Sequence, residues 1–402
     1  MVEKFKASPH EIAGLGNLVT ELGHDSISIA KFIGDNGFPQ GESFTGEIIS
    51  DLMDPLRRVH HVMYGHMYEI GAHNITTGAE LNKAAWMYHD QDQKNYAALN
   101  AHTHGIPGAY GPDTERRGQT EAYVDPVPYP KPESYSLSPP QVNREDTAAL
   151  LADVASWLGT TNESIKSVTR MAGKEVDPLG LVLRPIEGNW NELRRLGEAY
   201  KVAGNAMEAT GKNLQYGVER VGVHWNGAAA IAFEENWARR QIAAMKWEGP
   251  VGRVFADVCG LVADEIRAGV RSALVKLKDM LEDYVEVKTL KGIFKNVIKK
   301  VPGLGLVVEA IDLGHKIYTI VSTVRGIVDK IEELKNKLKE FLSFITDPLG
   351  KVPDKLKEKL EPILKRSAVG KDLTEIVQVN HTLERPRESY DVGKGGQPWE
   401  NG

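Results

Sequence analysis

Apolar residues return every three or four positions along most of this chain. A stripe with that period can be hidden from water only by packing helix against helix. The first stripe begins behind Ser8-Pro9-His10-Glu11, which has the form of a capping box with proline at the first helical position. Ile12, Leu15, Leu18, Val19, Leu22, Ile29 and Ile33 follow it. After a glycine-rich turn between Gly34 and Gly46, a second stripe runs through Ile49, Leu52, Leu56, Val59, Met63, Met67, Ile70, Leu81, Ala84 and Tyr88. Pro55 is expected to kink that helix. Residues 8 to about 100 therefore read as one long helical hairpin.

From His104 to about Val142 the pattern stops and prolines crowd together, at 126, 128, 130, 132, 139 and 140. The expectation is an extended, poorly packed linker, because proline has no amide to give to a helix or a ladder. A helix resumes near Arg144 and breaks at Asp177-Pro178-Leu179-Gly180. Asn189-Trp190-Asn191-Glu192 then looks like a new cap, and Leu193, Leu196, Tyr200, Ala203, Met207, Leu214 and Val221 line a second long helix. A turn at Gly222 to Gly227 leads into a further helix carrying Phe233 and Trp237. Glu248-Gly249-Pro250 is expected to end this second hairpin. Beyond it lies a lysine-rich helical region with a seam at Ile317, Ile320, Val324, Ile327, Ile331, Leu334, Leu338 and Phe341, broken by Pro302-Gly303-Leu304-Gly305. The predicted fold class is all-α, with the two hairpins packed as a four-helix-type bundle. The predicted divisions are 1–104 (first hairpin), 105–143 (proline-rich linker), 144–248 (second hairpin), 249–369 (lysine-rich helical region) and 370–402 (flexible tail).

The formal net charge of −6 over 402 residues argues against a nucleic-acid partner, which would call for a basic excess. The single cysteine, Cys259, cannot form an internal disulfide, and its neighbours Val258, Leu261 and Val262 suggest a buried thiol. No apolar h-region follows Met1 to Ser8, so no Sec-type signal peptide is expected, and no apolar run is long enough for a conventional membrane span.

Two motifs point elsewhere. Trp225-Asn226-Gly227 falls in the turn between the two long helices of the second hairpin, where glycine permits a tight turn and the indole offers a broad apolar surface. A hairpin with Trp-x-Gly at its turn resembles the WxG proteins of type VII (ESX) secretion systems. Tyr88-His89-Asp90-Gln91-Asp92 resembles the second half of that export signal, Tyr-x-x-x-Asp/Glu, with both groups on one helical face. Thr77 to Leu81, Ala84 and Ala85 look like the second helix of the partner proteins of that family. The first hairpin's own turn carries Phe44-Thr45-Gly46 in place of Trp-x-Gly, as suits a partner-like half. The resemblance covers roughly residues 8–100 and 177–247. It implies a secreted or cell-surface actinobacterial effector whose signal residues are Tyr88, Asp92, Trp225 and Gly227. The partners it implies are the secretion machinery, its ATPase and a chaperone, with self-association and a membrane surface left open. Tyr88 also reads as a plain seam residue, and Trp225 as a structural plug.

No cofactor, metal site or catalytic set is expected. His60, His61, His66, His73 and His89 share one helix, but His66 and His73 stand two turns apart, about 10 Å in rise, too far for one tetrahedral ion. His102 and His104 form a weak loop pair. Glycine is abundant but scattered, with no phosphate loop and no nucleophile elbow. The expected function is a non-enzymatic, exported effector. The alternatives are a membrane-active or pore-forming protein built on the lysine-rich helices, or the export portion of a longer toxin.

Overall fold

The computed structural model describes residues 5–101, 122–141, 143, 145, 147–171, 177–184, 187–285, most of 325–345, and 386–392. These residues are 79% helical and contain no strand, so the fold is all-α. In chain order the helices are α1 (Pro9–Asn36), α2 (Glu47–Ser50), α3 (Met53–Ala101), α4 (Thr147–Ala155), α5 (Trp157–Met171), α6 (Pro178–Leu183), α7 (Asn191–Gly222), α8 (Ala228–Phe233) and α9 (Arg239–Val285). A single π turn, Glu234–Ala238, joins α8 to α9. Helices α1 and α3 pair, α7 and α9 pair, and the α1–α7 contact joins the two hairpins into one bundle. The shared core includes Leu15, Leu22, Ile33, Met67, Leu81, Leu196, Met207 and Phe255.

Glycines set the depth of both hairpins. A Cβ on Gly16 would stand 2.9 Å from the Gly78 carbonyl oxygen, and one on Gly23 would stand 2.7 Å from that of Gly71. The two contacts lie seven residues apart on each helix, so only a bare backbone lets α1 and α3 approach this closely. On α7, Gly197, Gly204 and Gly211 repeat the interval, against Ala256, Glu248 and Met245 of α9. The α1–α3 register pairs positions whose numbers add to 94, which sets Pro9 opposite residue 85. The last sixteen residues of α3 thus run past the start of α1, by about 24 Å.

Several local expectations were displaced by tertiary contacts. Ser8 precedes α1 with Pro9 at its first turn, but no side chain caps the helix. The Ser8 amide bonds the His224 carbonyl (3.0 Å), and Glu11 pairs with Arg220 across the bundle instead of reaching back. Pro55 causes no interior kink because it lies in the first turn of α3, where its missing N–H has no partner to lose. Pro250 does not end the second hairpin: α9 runs through it unbroken for 47 residues. Gly204 admits the Glu248 carbonyl, and Gly252 lies against the Tyr200 backbone. This close packing on α7 holds the helix where propensity alone would break it.

The proline-rich segment is extended, as expected, but it is a docked strap. In residues 126–133 prolines occupy the even positions, and Val127, Tyr129, Lys131 and Glu133 alternate with them. An extended chain sends alternate residues to opposite sides. The odd ones meet the groove between α1 and α7, and Pro128, Pro130 and Pro132 face water. The Val127 amide donates to the His10 carbonyl (3.0 Å), and Arg220 stacks over the Tyr129 ring at 4.3 Å. Lys131 pairs with Glu21 and Asp25, and the Asn213 amide bonds both the N–H and the C=O of Glu133 at 2.9 Å. Proline restricts the free chain as well, so such a strap loses little entropy on docking.

Part of the tail expected to be flexible is also placed, since residues 386–392 lie against α3 and the end of α8. The described residues of 325–345 are helical and bury Ile331, Leu338, Phe341 and Leu342. Lys335 and Lys339 of that segment pair with Asp51, and Lys330 pairs with Glu265. His102, His104, Lys288, Lys291, Lys295, Lys299, Lys300, the Pro302–Gly305 break and the rest of the tail lie outside the described residues.

Candidate functional site

The two halves of the expected signal meet. Tyr88 lies on α3 where that helix clears the start of α1, and Trp225 lies in the turn between α7 and α8. The indole N–H donates to the Tyr88 hydroxyl at 3.2 Å, and the rings stand edge to face at 6.4 Å. The turn is closed by amides of His224 and Trp225, both donating to the Val221 carbonyl at 2.8 Å. Gly227 then takes φ 96°, a left-handed conformation that favours glycine, and starts α8. Phe233, at the end of α8, lies 5.6 Å from the Trp225 ring and stacks on Trp237.

The chain's own N-terminal arm clasps this turn. Ala7 and Trp225 form an isolated antiparallel bridge, and Asn226 bonds Lys6 through both its amide (2.9 Å) and its side chain (2.6 Å). The Phe5 ring lies 6.1 Å from Tyr88. These covers leave Tyr88 and Trp225 only 4% and 3% exposed. Burial pushes the Tyr88 phenol above its ordinary pKa, with the Trp225 hydrogen bond opposing. The rings are therefore a joint between the two hairpins and are not themselves displayed.

What is displayed lies around them. Asp92 is exposed, as is every residue from it to Leu99, because α3 has left the bundle there. Tyr96 and Leu99 on this overhang are exposed, and so are Val223 and Ile231 beside the Trp225 turn. Tyr88 and Asp92 sit four residues apart on one helical face, and that face passes from core to solvent between them.

No family model, curated protein or solved structure matches this chain. The site must therefore be read from its own chemistry.

Among the described residues no group of three or more His, Cys, Asp or Glu side chains is placed to hold a metal ion. His66 is tied to the buried Glu248, His89 to Tyr123 (3.1 Å), and His60 lies against Phe38 and Tyr64. Cys259 is fully buried, which pushes its thiol pKa up. A cavity of about 470 Å³ opens between α7 and α9 over Val218, Ile242 and Trp247. Its half-buried acid, Glu208, is held by Lys212 and Arg253. Burial raises the carboxyl's pKa, but these two bonds outweigh that and hold it below its ordinary value, a poor setting for a general acid.

Sequence reading missed the roles of Phe5, Phe233 and Tyr390 at this end. Phe5 and Tyr390 carry no local signal. Phe233 had one: it lies six residues after Gly227, within reach of the turn.

Proposed function

We propose that this chain is a non-enzymatic substrate of a type VII (ESX) secretion system, exported folded, with both halves of its signal in one polypeptide. The observation that supports this most is the Trp225–Tyr88 hydrogen bond. It joins the Trp-x-Gly turn of one hairpin to the Tyr-x-x-x-Asp helix of the other at a bundle end where Asp92 and the α3 overhang are exposed. Tyr88, Trp225 and Gly227 then shape the end, and Asp92 is the group a secretion ATPase or chaperone meets. The membrane-active reading has less support. Lys330, Lys335 and Lys339 of the C-terminal helical segment are paired with acids of the bundle, and no described helix is long and apolar enough to cross a membrane.

The test compares culture filtrate and lysate from secretion-competent and secretion-deficient cells. Asp92→Ala is expected to cut export at least tenfold with unchanged thermal stability. Wild-type export of that variant, or undiminished export from deficient cells, would overturn the proposal.

A further inference from the structure

Residues 386–392 occupy a groove formed by α3 and the end of α8, and the contact has the form of peptide recognition. The Tyr390 amide donates to Thr77 Oγ1 at 3.0 Å, and the Val392 amide donates to Glu80 Oε2 at 3.2 Å. The two amides, two residues apart in the segment, thus meet two side-chain acceptors about one turn apart on α3, so backbone as well as side chains of the segment is recognised. Thr77 is fully buried, and the segment supplies its hydroxyl with a partner. The Tyr390 ring meets Phe233 edge-on at 5.3 Å, and Val392 is 8% exposed. Phe233 in turn touches Trp225. Burial, with Tyr88, Glu80 and Asp391 nearby, pushes the Tyr390 phenol up to about 12.

We propose that residues 386–392 are a latch, an intramolecular ligand of the α3–α8 groove that closes over the Tyr88–Trp225–Phe233 cluster and opens while the bundle stays folded. The groove is a receptor for an aromatic-x-aliphatic peptide, and its occupant is the chain's own Tyr390-Asp391-Val392. The segment is seven residues long, and its hold through the Tyr390 and Val392 amides and the side chains of Pro386, Tyr390 and Val392 is small beside the shared core of the hairpins, so it can open without unfolding the helices beneath it. The bundle end therefore has a covered form and an open form. The latch stands on these contacts alone. Only the use of the open form, as the surface presented for export, rests on the reading proposed above.

Two measurements on the full chain test the latch. Hydroxyl-radical footprinting of wild type, Tyr390→Phe and the double variant Tyr390→Ala/Val392→Asp is expected to show Phe233 oxidation rising at least threefold in the double variant. Tyr390→Phe should remain near wild type, and the fully buried Trp190 should stay unchanged throughout. Unchanged Phe233 oxidation would mean that the segment covers nothing. A parallel rise at Trp190 would mean that it braces the whole bundle. In wild type, the amides of Tyr390 and Val392 should exchange hydrogen at least a hundredfold faster than those of Leu15 to Leu22, and equal rates would show that the segment opens only on global unfolding. Export of the double variant is a separate readout. Unaltered export with an altered footprint overturns the use assigned to the open surface and supports the latch.

Discussion

Four glycines, each replaced by alanine, separate packing from propensity. Gly78 and Gly65 both lie within α3, so helix propensity predicts that alanine stabilises each by about 1 kcal/mol. Their surroundings differ. A Cβ at Gly65 meets nothing within 4 Å, whereas one at Gly78 falls on Thr20 Oγ1 and lies 2.6 Å from the Gly16 carbonyl oxygen. The second hairpin offers the same contrast: Gly260 is open, and a Cβ at Gly204 falls on the Glu248 carbonyl, 3.0 Å from its carbon. Backbone cannot rotate away as a side chain can, so the cost belongs at the upper end of overpacking, about 3 kcal/mol. Subtracting the propensity gain leaves a net loss of about 2–2.5 kcal/mol at Gly78 and Gly204, against a gain of about 0.5–1 kcal/mol at Gly65 and Gly260. Since 1 kcal/mol moves the melting temperature of a domain this size by about 1–2 °C, the two pairs should separate in opposite directions by differential scanning calorimetry. If Gly78→Ala and Gly204→Ala melt at or above wild type, the glycine seams do not set the approach of these helices.

Tyr88→Phe leaves the buried Trp225 N–H without an acceptor and should cost about 1–3 kcal/mol in urea denaturation. Adding Trp225→Phe should cost less than the sum of the single changes, because the orphaned donor is gone. The strap should resist protease across residues 122–141, and Tyr129→Ala, which removes the ring beneath Arg220, should make it the first site cut while both hairpins remain intact. Acid should destabilise the fold below about pH 4. Asp177 and Glu208 are both held below their ordinary values, against burial, by hydrogen bonds from Gly180 and Asn162 and from Lys212 and Arg253 respectively. Their stabilisation is complete above the unfolded-state pKa and is lost as pH falls through the folded one. Thermal melts from pH 7 to pH 2.5 should therefore decline only at the acid end, less steeply for Glu208→Gln.

Apolar periodicity identified α1, α3, α7 and the helix after Trp225, because those residues are the ones that become buried. It could not see the glycine seams, which contribute by lacking a side chain. Yet the intervals from Gly16 to Gly23, Gly71 to Gly78, and Gly197 through Gly204 to Gly211 were present in the sequence, and seven-residue spacing was their signal. The strap was misread for a related reason. Proline was weighed as a breaker, whereas the informative pattern was what alternates with it in Pro126-Val127-Pro128-Tyr129-Pro130-Lys131-Pro132-Glu133. Pro250 shows tertiary packing overriding a local rule, since the backbone contacts of Gly204 and Gly252 hold α9 together through it. The contacts of Tyr390 with Thr77 and Phe233 span distances along the chain that no local pattern can encode.

The candidate site was half legible for a physical reason that also bears on how it could work. Spacing of four on a helix could be read for Tyr88 and Asp92, and a turn could be read for Trp225 and Gly227. Burial could not, because it depends on the register that the glycines impose. That register starts α1 opposite residue 85 and leaves Tyr88 to be covered by Phe5 of the N-terminal arm and by Trp225 of the turn before α8, while Asp92 is exposed beyond them. The end thus takes its shape from distant parts of the chain: the N-terminal arm, α3, the turn before α8 and residues 386–392. The Trp225–Tyr88 bond and the clasp of the N-terminal arm on the turn before α8 both cross between the hairpins, so the surface around Asp92 exists in its native shape only after both hairpins have folded and joined. An exporter that recognises this end would reject an unpaired half without inspecting the rest of the molecule. Asp92 is also the position where recognition and folding can be varied separately, since a change there removes charge from the surface and no contact from the joint.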